Sequence, residues 1–213
     1  MVKIPSIRGL RSDFAAGKLA PMPDPMQTLR NHFTEHAAVL AATETLLPKV
    51  EQVAQVLIEC FRKDHRLYTM GNGGSAADAL HFAEELLGRY RRDRRPLAAQ
   101  SFVADPTGLT CISNDFGWPN VFARQVEGLV REGDVVVGIS TSGNSENVLN
   151  AMKLARQKKA VTIALTGETG GKLASLADHL LNVPSTTTAR IQEMHIFIIH
   201  LLCERIDDWV LGT

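Results

Sequence analysis

The chain has 213 residues, 45% of them hydrophobic, with 23 lysines and arginines against 23 aspartates and glutamates. This length fits one domain with or without an added arm, and the hydrophobic share allows a sizeable core. The charge balance gives no electrostatic reason for a nucleic acid or an anionic membrane as partner. Three widely spaced cysteines, Cys60, Cys111 and Cys203, argue against a disulfide framework and suit a reducing cytoplasm. No apolar run reaches the length of a bilayer span.

Residues 1–25 carry four prolines and little periodicity, and read as a leader or arm. They have basic residues but no apolar stretch, so no signal peptide is expected. From 26 to 64 apolar residues recur at threes and fours, which predicts two amphipathic helices, the second started by Pro48. Such a pair needs a partner surface, either the core or another subunit. From 65 onward strands alternate with helices. Strands are expected at 67–70, 97–104, 134–140, 160–166 and 179–183. Helices are expected at 75–90, 105–117, 119–130, 145–159 and 170–177, with a long apolar helix over 188–210. The basic run "RYRRDRRP" (89–96) reads as a solvated helix end plus loop. Apolar strands without strict alternation, separated by helices, predict a parallel sheet covered on both faces.

In such a sheet, ligands bind beyond the carboxyl ends of the strands. Two of those ends carry unusual turns, "GNGGS" (71–75) and "STSGNS" (140–145). Glycines admit close backbone approach, and the following helix offers unpaired N–H groups and a positive dipole end. Hydroxyls add donors and acceptors, so either turn could hold a phosphate without a cationic side chain. Ordinary capping and turn chemistry would use the same residues. Neither turn has the pattern of a dinucleotide site or a nucleoside-triphosphate loop. On the helix after GNGGS, His81 and Glu85 stand four residues apart and share a face. That spacing suits two metal ligands or an acid/base group with its partner, and equally a surface pair.

Taken together, "GNGGSAADALHFAEEL", "SNDFG", "GISTSGNSENV", "LTGETGGKLA" and "ARIQEMH" resemble the sugar isomerase (SIS) domain, and more closely the bacterial phosphoheptose isomerase family. The resemblance runs from about residue 27 to 208. It implies an α/β three-layer sandwich with a central five-stranded parallel sheet, flavodoxin-like, preceded by an N-terminal helical pair (26–64) and completed over 65–213. The implied activity is aldose–ketose isomerisation of sedoheptulose 7-phosphate through an enediol, the first step toward nucleotide-activated heptose. Carried over, Glu85 and His200 fall on the acid/base residues. His81, Glu85, Gln192 and His200 fall on the zinc ligands, one ion per subunit. Asn72, Gly73, Gly74, Ser75, Glu85, Asn114, Asp115, Ser140, Thr141, Ser142, Ser145 and Gln192 fall on the substrate contacts. A cytoplasmic homotetramer is also implied.

Gln192 and His200 lie eight residues apart, roughly 12 Å of helix axis. An ion between them either sits midway with both arms extended or takes ligands from different subunits. Two other functions share these motifs: a non-catalytic phosphosugar-binding regulator of replication initiation, and an isomerase for another phosphosugar. Regulators of that kind tend to lack the Glu85 and His200 pair.

Overall fold

The structure, a computed structural model, describes residues 24–212; the expected leader lies outside them except for its last two residues. Residues up to Ala38 and those from Val39 onward form two compact units. Helix α1 (Pro25–Thr43) belongs to the first unit over most of its length, and Met26, Leu29 and Phe33 on it are exposed. A single turn of 3-10 helix (Glu44–Leu46) separates it from α2 (Leu47–Arg62). Pro48 stands in the first turn of α2, where a missing N–H costs nothing.

The sheet consists of β1 (Leu67–Gly71), β2 (Ala99–Ser101), β3 (Val135–Ser140), β4 (Val161–Thr166) and β5 (His179–Asn182). Its order is β2-β1-β3-β4-β5, and every pairing is parallel. The helices are α3 (Gly74–Leu87), α4 (Pro106–Phe116), α5 (Ala123–Leu129), α6 (Glu146–Gln157) and α7 (Thr188–Leu211). The strands bury both faces, which is why they read as continuous apolar runs. Val135, Val137, Ile139, Ile163 and Leu165 point into one core with α2, α3 and α7. Tyr68, Met70, Val136 and Ala164 point into a second core with α5 and α6. These two cores make the three layers expected from the sequence.

Helix α7 buries Ile191, Met194, Ile198, Ile199, Leu202 and Ile206 in the first core. Each such side chain stabilises the fold by about 1.5–3 kcal/mol, so the helix that carries Gln192 and His200 is firmly seated.

Three expectations need correction and a fourth needs refinement. The strand expected at 97–104 pairs only over Ala99–Ser101, because it lies at the sheet edge with β1 as its single neighbour. The helix expected at 119–130 breaks into a 3-10 turn (Trp118–Asn120) and the short α5. "GGKLASLA" forms a 3-10 turn (Gly171–Ser175) rather than an α-helix. The basic run at 89–96 is a largely exposed loop, as expected, but it is pinned to α7 rather than free in solvent. The Arg94 side chain is completely buried against Asp207, while the more exposed Arg91 and Arg92 reach Glu204 and Asp208, all on α7.

Candidate active site

The strand order reverses between β1 and β3. An open parallel sheet has its crevice there, outside the carboxyl ends of the two strands. GNGGS leaves β1 and STSGNS leaves β3, so both unusual turns lie at the switch point. The side-chain amides of Asn72 and Asn147 join them by two reciprocal hydrogen bonds of 2.9 Å. Asn147 Oδ1 also accepts from the Val148 N–H in the first turn of α6.

The STSGNS turn is internally bonded. Ser140 Oγ lies 2.9 Å from Ser145 Oγ and 3.5 Å from Ser142 Oγ. Ser142 Oγ accepts from the Asn144 N–H. Gly143 has φ +64°, and a Cβ there would run into the Gly170 carbonyl, so the turn packs backbone to backbone on the loop after β4. The Lys172 N–H donates to Asn144 Oδ1, and the Leu173 N–H to the Gly143 carbonyl. Ser145 is the N-cap residue of α6, but its hydroxyl bonds Ser140 rather than a backbone N–H of the helix. Thr141 and Ser142 line a cavity of about 210 Å³ with Gly167, Glu168, Thr169 and Ser185. Thr186, Thr188 and Ile191 complete its wall. Three hydroxyls of "STTT" (185–188), those of Ser185, Thr186 and Thr188, thus join the cavity wall although they are not among the site residues expected from the sequence. They have the same signal as STSGNS, hydroxyls crowded ahead of a helix N-terminus.

GNGGS opens α3. Ser75 is buried, and Gly74 lies so close to the side-chain amide of Gln192 that a Cβ would collide with it. Two turns further on, the same pair of helices brings together three residues able to ligate a metal. His81 Nε2 is 3.0 Å from His200 Nε2 and 3.2 Å from Glu85 Oε1. Ligand atoms of His81, Glu85 and His200 all lie within 4.8 Å of one another. The two short separations approach the ~3.3 Å edge of a tetrahedron with metal bonds of about 2.0–2.1 Å, so the residues fit a divalent metal. Gln192 stands at the GNGGS end of α3 and His200 beside His81, so the two mark successive levels of the α3–α7 seam.

Burial raises the pKa of the Glu85 carboxyl, opposed by the His81 charge. Burial lowers that of His200, and the nearby His81 lowers it further. Asp78, one turn before His81, was not singled out in the sequence. It is buried, its Oδ2 has no hydrogen-bond partner, and burial pushes its pKa up to about 6. His195 is a core residue: its Nε2 bonds the Thr166 carbonyl at 3.1 Å, and burial brings its pKa down to about 4.

Asn114 and Asp115 are placed differently. They lie on α4, which buries none of its residues, and Asn114 Nδ2 donates to Asp115 Oδ1 at 2.8 Å. Asn114 lines a cleft of about 490 Å³ with Pro106, Leu109, Thr110, Ser113 and Trp118, none of which belongs to the seam.

A parallel sheet with hydroxyl-rich turns at its switch point and an imidazole–carboxylate cluster on adjacent helices defines a SIS domain of the isomerase kind. The SIS domain family model matches residues 31–167. Phosphoheptose isomerase 1 of Campylobacter jejuni is 48% identical over 180 residues, 84% of this chain and 97% of that protein. The phosphoheptose isomerase of Neisseria gonorrhoeae is 48% identical over 184 residues, 84% of this chain and 93% of that protein. A solved phosphoheptose isomerase from Neisseria gonorrhoeae superposes with a TM-score of 0.83 at 44% identity, over 87% of this chain and all of that one. One from Francisella tularensis gives 0.85 at 34% identity, with the same coverage. The chain belongs to the phosphoheptose isomerase family and is an isomerase.

Proposed function

We propose that the chain interconverts D-sedoheptulose 7-phosphate and D-glycero-D-manno-heptose 7-phosphate, the first step toward nucleotide-activated heptose. The observation that carries this reading is the cluster that His81 and Glu85, on the helix that opens at the switch-point turn, make with His200 of α7. A non-catalytic binding protein has no use for that cluster.

Glu85 takes a proton from the carbon next to the substrate carbonyl, and its burial-raised pKa brings the base closer to neutral pH. The N–H of His200 is directed at the carbonyl oxygen. With its pKa lowered, His200 acts as a neutral imidazole that stabilises the enediolate by hydrogen bonding. The proton then returns to the former carbonyl carbon, the former carbonyl oxygen takes a proton through His200, and the neighbouring hydroxyl gives up its own proton to become the aldehyde, so the formula is unchanged. Gln192 binds sugar oxygens at the seam.

Ser140, Thr141, Ser142 and Ser145 hold the phosphate, with the first N–H groups of α6 and the walls of the 210 Å³ cavity. Asn72, Gly73, Gly74 and Ser75 border the sugar. His81, Glu85 and His200 would hold a zinc ion, with Gln192 as the fourth candidate. That ion would supply Lewis-acid polarisation of the carbonyl. Exposed Met26, Leu29 and Phe33 fall on one face of α1 and support assembly into a tetramer, in which α4 could bring Asn114 and Asp115 to a neighbouring site. Among the described residues no helix is long and apolar enough to cross a membrane. The free thiols of Cys60, Cys111 and Cys203 support a cytoplasmic setting.

The test is incubation of the purified chain with sedoheptulose 7-phosphate, followed by NMR. Aldose should accumulate to an equilibrium mixture. Binding of the phosphosugar without turnover, under zinc-replete conditions, would favour the regulator, and turnover only of another phosphosugar would change the substrate.

A further inference from the structure

The segment 88–96 between α3 and β2 has no regular secondary structure, yet it is bound along its length to one stretch of α7. Arg91 pairs with Glu204 at 3.2 Å, Arg92 with Asp208 at 2.6 Å and Arg94 with Asp207 at 2.7 Å. The Arg95 guanidinium lies 5.7 Å from the centre of the Trp209 ring. The Arg94 and Asp207 side chains are 0% and 1% exposed. Arg94 also donates to the main-chain carbonyls of Glu85 at 2.7 Å and Leu86 at 2.9 Å, at the end of α3. One guanidinium therefore ties the residue after His81's turn to α7, seven positions beyond His200.

Just ahead of these anchors the segment brings Tyr90 to His200. Their ring centres are 5.4 Å apart at 33°. His200 also meets His81, with ring centres 5.2 Å apart at 66°. His200 is only partly buried, and it is in contact with both rings. Burying an ion pair costs desolvation that an apolar pair avoids, so the burial of the Arg94–Asp207 pair is not accounted for by stability alone.

We propose that this arginine strap is a positioning device for the isomerisation: Arg94 locks the register of α3 against α7, and Tyr90 fixes the ring of His200. Tyr90 is a positioning residue that acts through His200. The inference rests on the isomerase reading above for its catalytic consequence.

The test compares the full-length wild type with Tyr90→Ala and Tyr90→Phe by steady-state kinetics, thermal unfolding and crystallography. Tyr90→Ala should lose roughly tenfold in kcat with little change in KM, since misplacing a reacting group costs turnover more than binding. Tyr90→Phe, which keeps the ring and drops the hydroxyl, should recover most of that loss. In crystals His200 should stay beside His81 in the wild type and in Tyr90→Phe, and turn away or lose order in Tyr90→Ala. Wild-type kcat in Tyr90→Ala, a loss that phenylalanine does not restore, or an unmoved His200 would each overturn the proposal. If Tyr90→Ala does not fold, Tyr90→Leu takes its place in all three measurements. A wild type without turnover defeats the isomerase reading, and the crystallographic comparison still decides whether Tyr90 positions His200.

Discussion

The side chains of Asn72 and Asn147 hold each other by two hydrogen bonds of 2.9 Å, beyond the carboxyl ends of the neighbouring strands β1 and β3. They make the two switch-point turns one unit. Asn147 is 2% exposed, so its truncation leaves the Asn72 amide and the Val148 N–H without their partner. Asn147→Ala should destabilise the fold by about 1–3 kcal/mol, the cost of unpaired buried polar groups. It should also raise KM more than it lowers kcat, because phosphate and sugar contacts lose their common frame. Denaturant unfolding and steady-state kinetics check both halves.

Gly74 gives a cleaner separation of structure from activity. A Cβ at this position collides with the movable end of Gln192, not with backbone. Gly74→Ala should leave the unfolding temperature nearly unchanged or slightly raised, since alanine is the better helix residue. Its kcat/KM should fall as the Gln192 amide is displaced. Unchanged kinetics would remove Gln192 from the site.

The pH dependence of stability separates by residue. Asp78 has its folded pKa raised to about 6 from 3.8. Below about pH 4 it is protonated in both states and has no effect. As pH rises from about 4 to 6 the unfolded chain releases the proton first, so stability falls. His195, lowered to about 4 from 6.5, acts in the opposite sense, and stability falls as pH drops from about 6.5 to 4. The two slopes oppose each other in the wild type, and a variant isolates one of them. Asp78→Asn should be more stable than the wild type at pH 7, by about 1–3 kcal/mol, with the gain vanishing near pH 4. Thermal unfolding of both proteins from pH 4 to 7 reads this directly.

Metal removal should show in two readouts. Treatment with a strong chelator should reduce turnover, and added zinc should restore it. Zinc should also raise the unfolding temperature of the chelated protein by mass action, and this gain should be lost in His81→Ala. Full activity after chelation would leave His81, Glu85 and His200 as a hydrogen-bonded cluster without an ion.

Much of the fold can be read along the chain. The strands β1, β3 and β4 are buried on both faces, and their apolar runs say so. The His81 and Glu85 spacing marks a helix face, and the hydroxyl-rich turns mark strand ends. Periodicity shows that a face exists but not what it meets. Asn147 reads as an ordinary first-turn residue until Asn72 is opposite it. Asp78 reads as an exposed helix acid, since nothing local marks its burial. Arg91, Arg92, Arg94 and Arg95 have the same local pattern whether water or α7 surrounds them. Their partners Glu204, Asp207, Asp208 and Trp209 lie more than a hundred residues away. Tyr90 is carried to His200 by that pairing, and no spacing rule reaches so far.

The central claim is that Glu85 moves a proton between adjacent carbons of a phosphorylated heptulose. Turnover of sedoheptulose 7-phosphate in deuterium oxide, followed by NMR, tests it most directly. The expected result is aldose 7-phosphate with deuterium on the carbon next to the new aldehyde. Glu85→Gln should be roughly 10²–10⁴-fold slower while still binding the phosphosugar. Turnover by Glu85→Gln at the wild-type rate, or no turnover by the zinc-replete wild type, would contradict it.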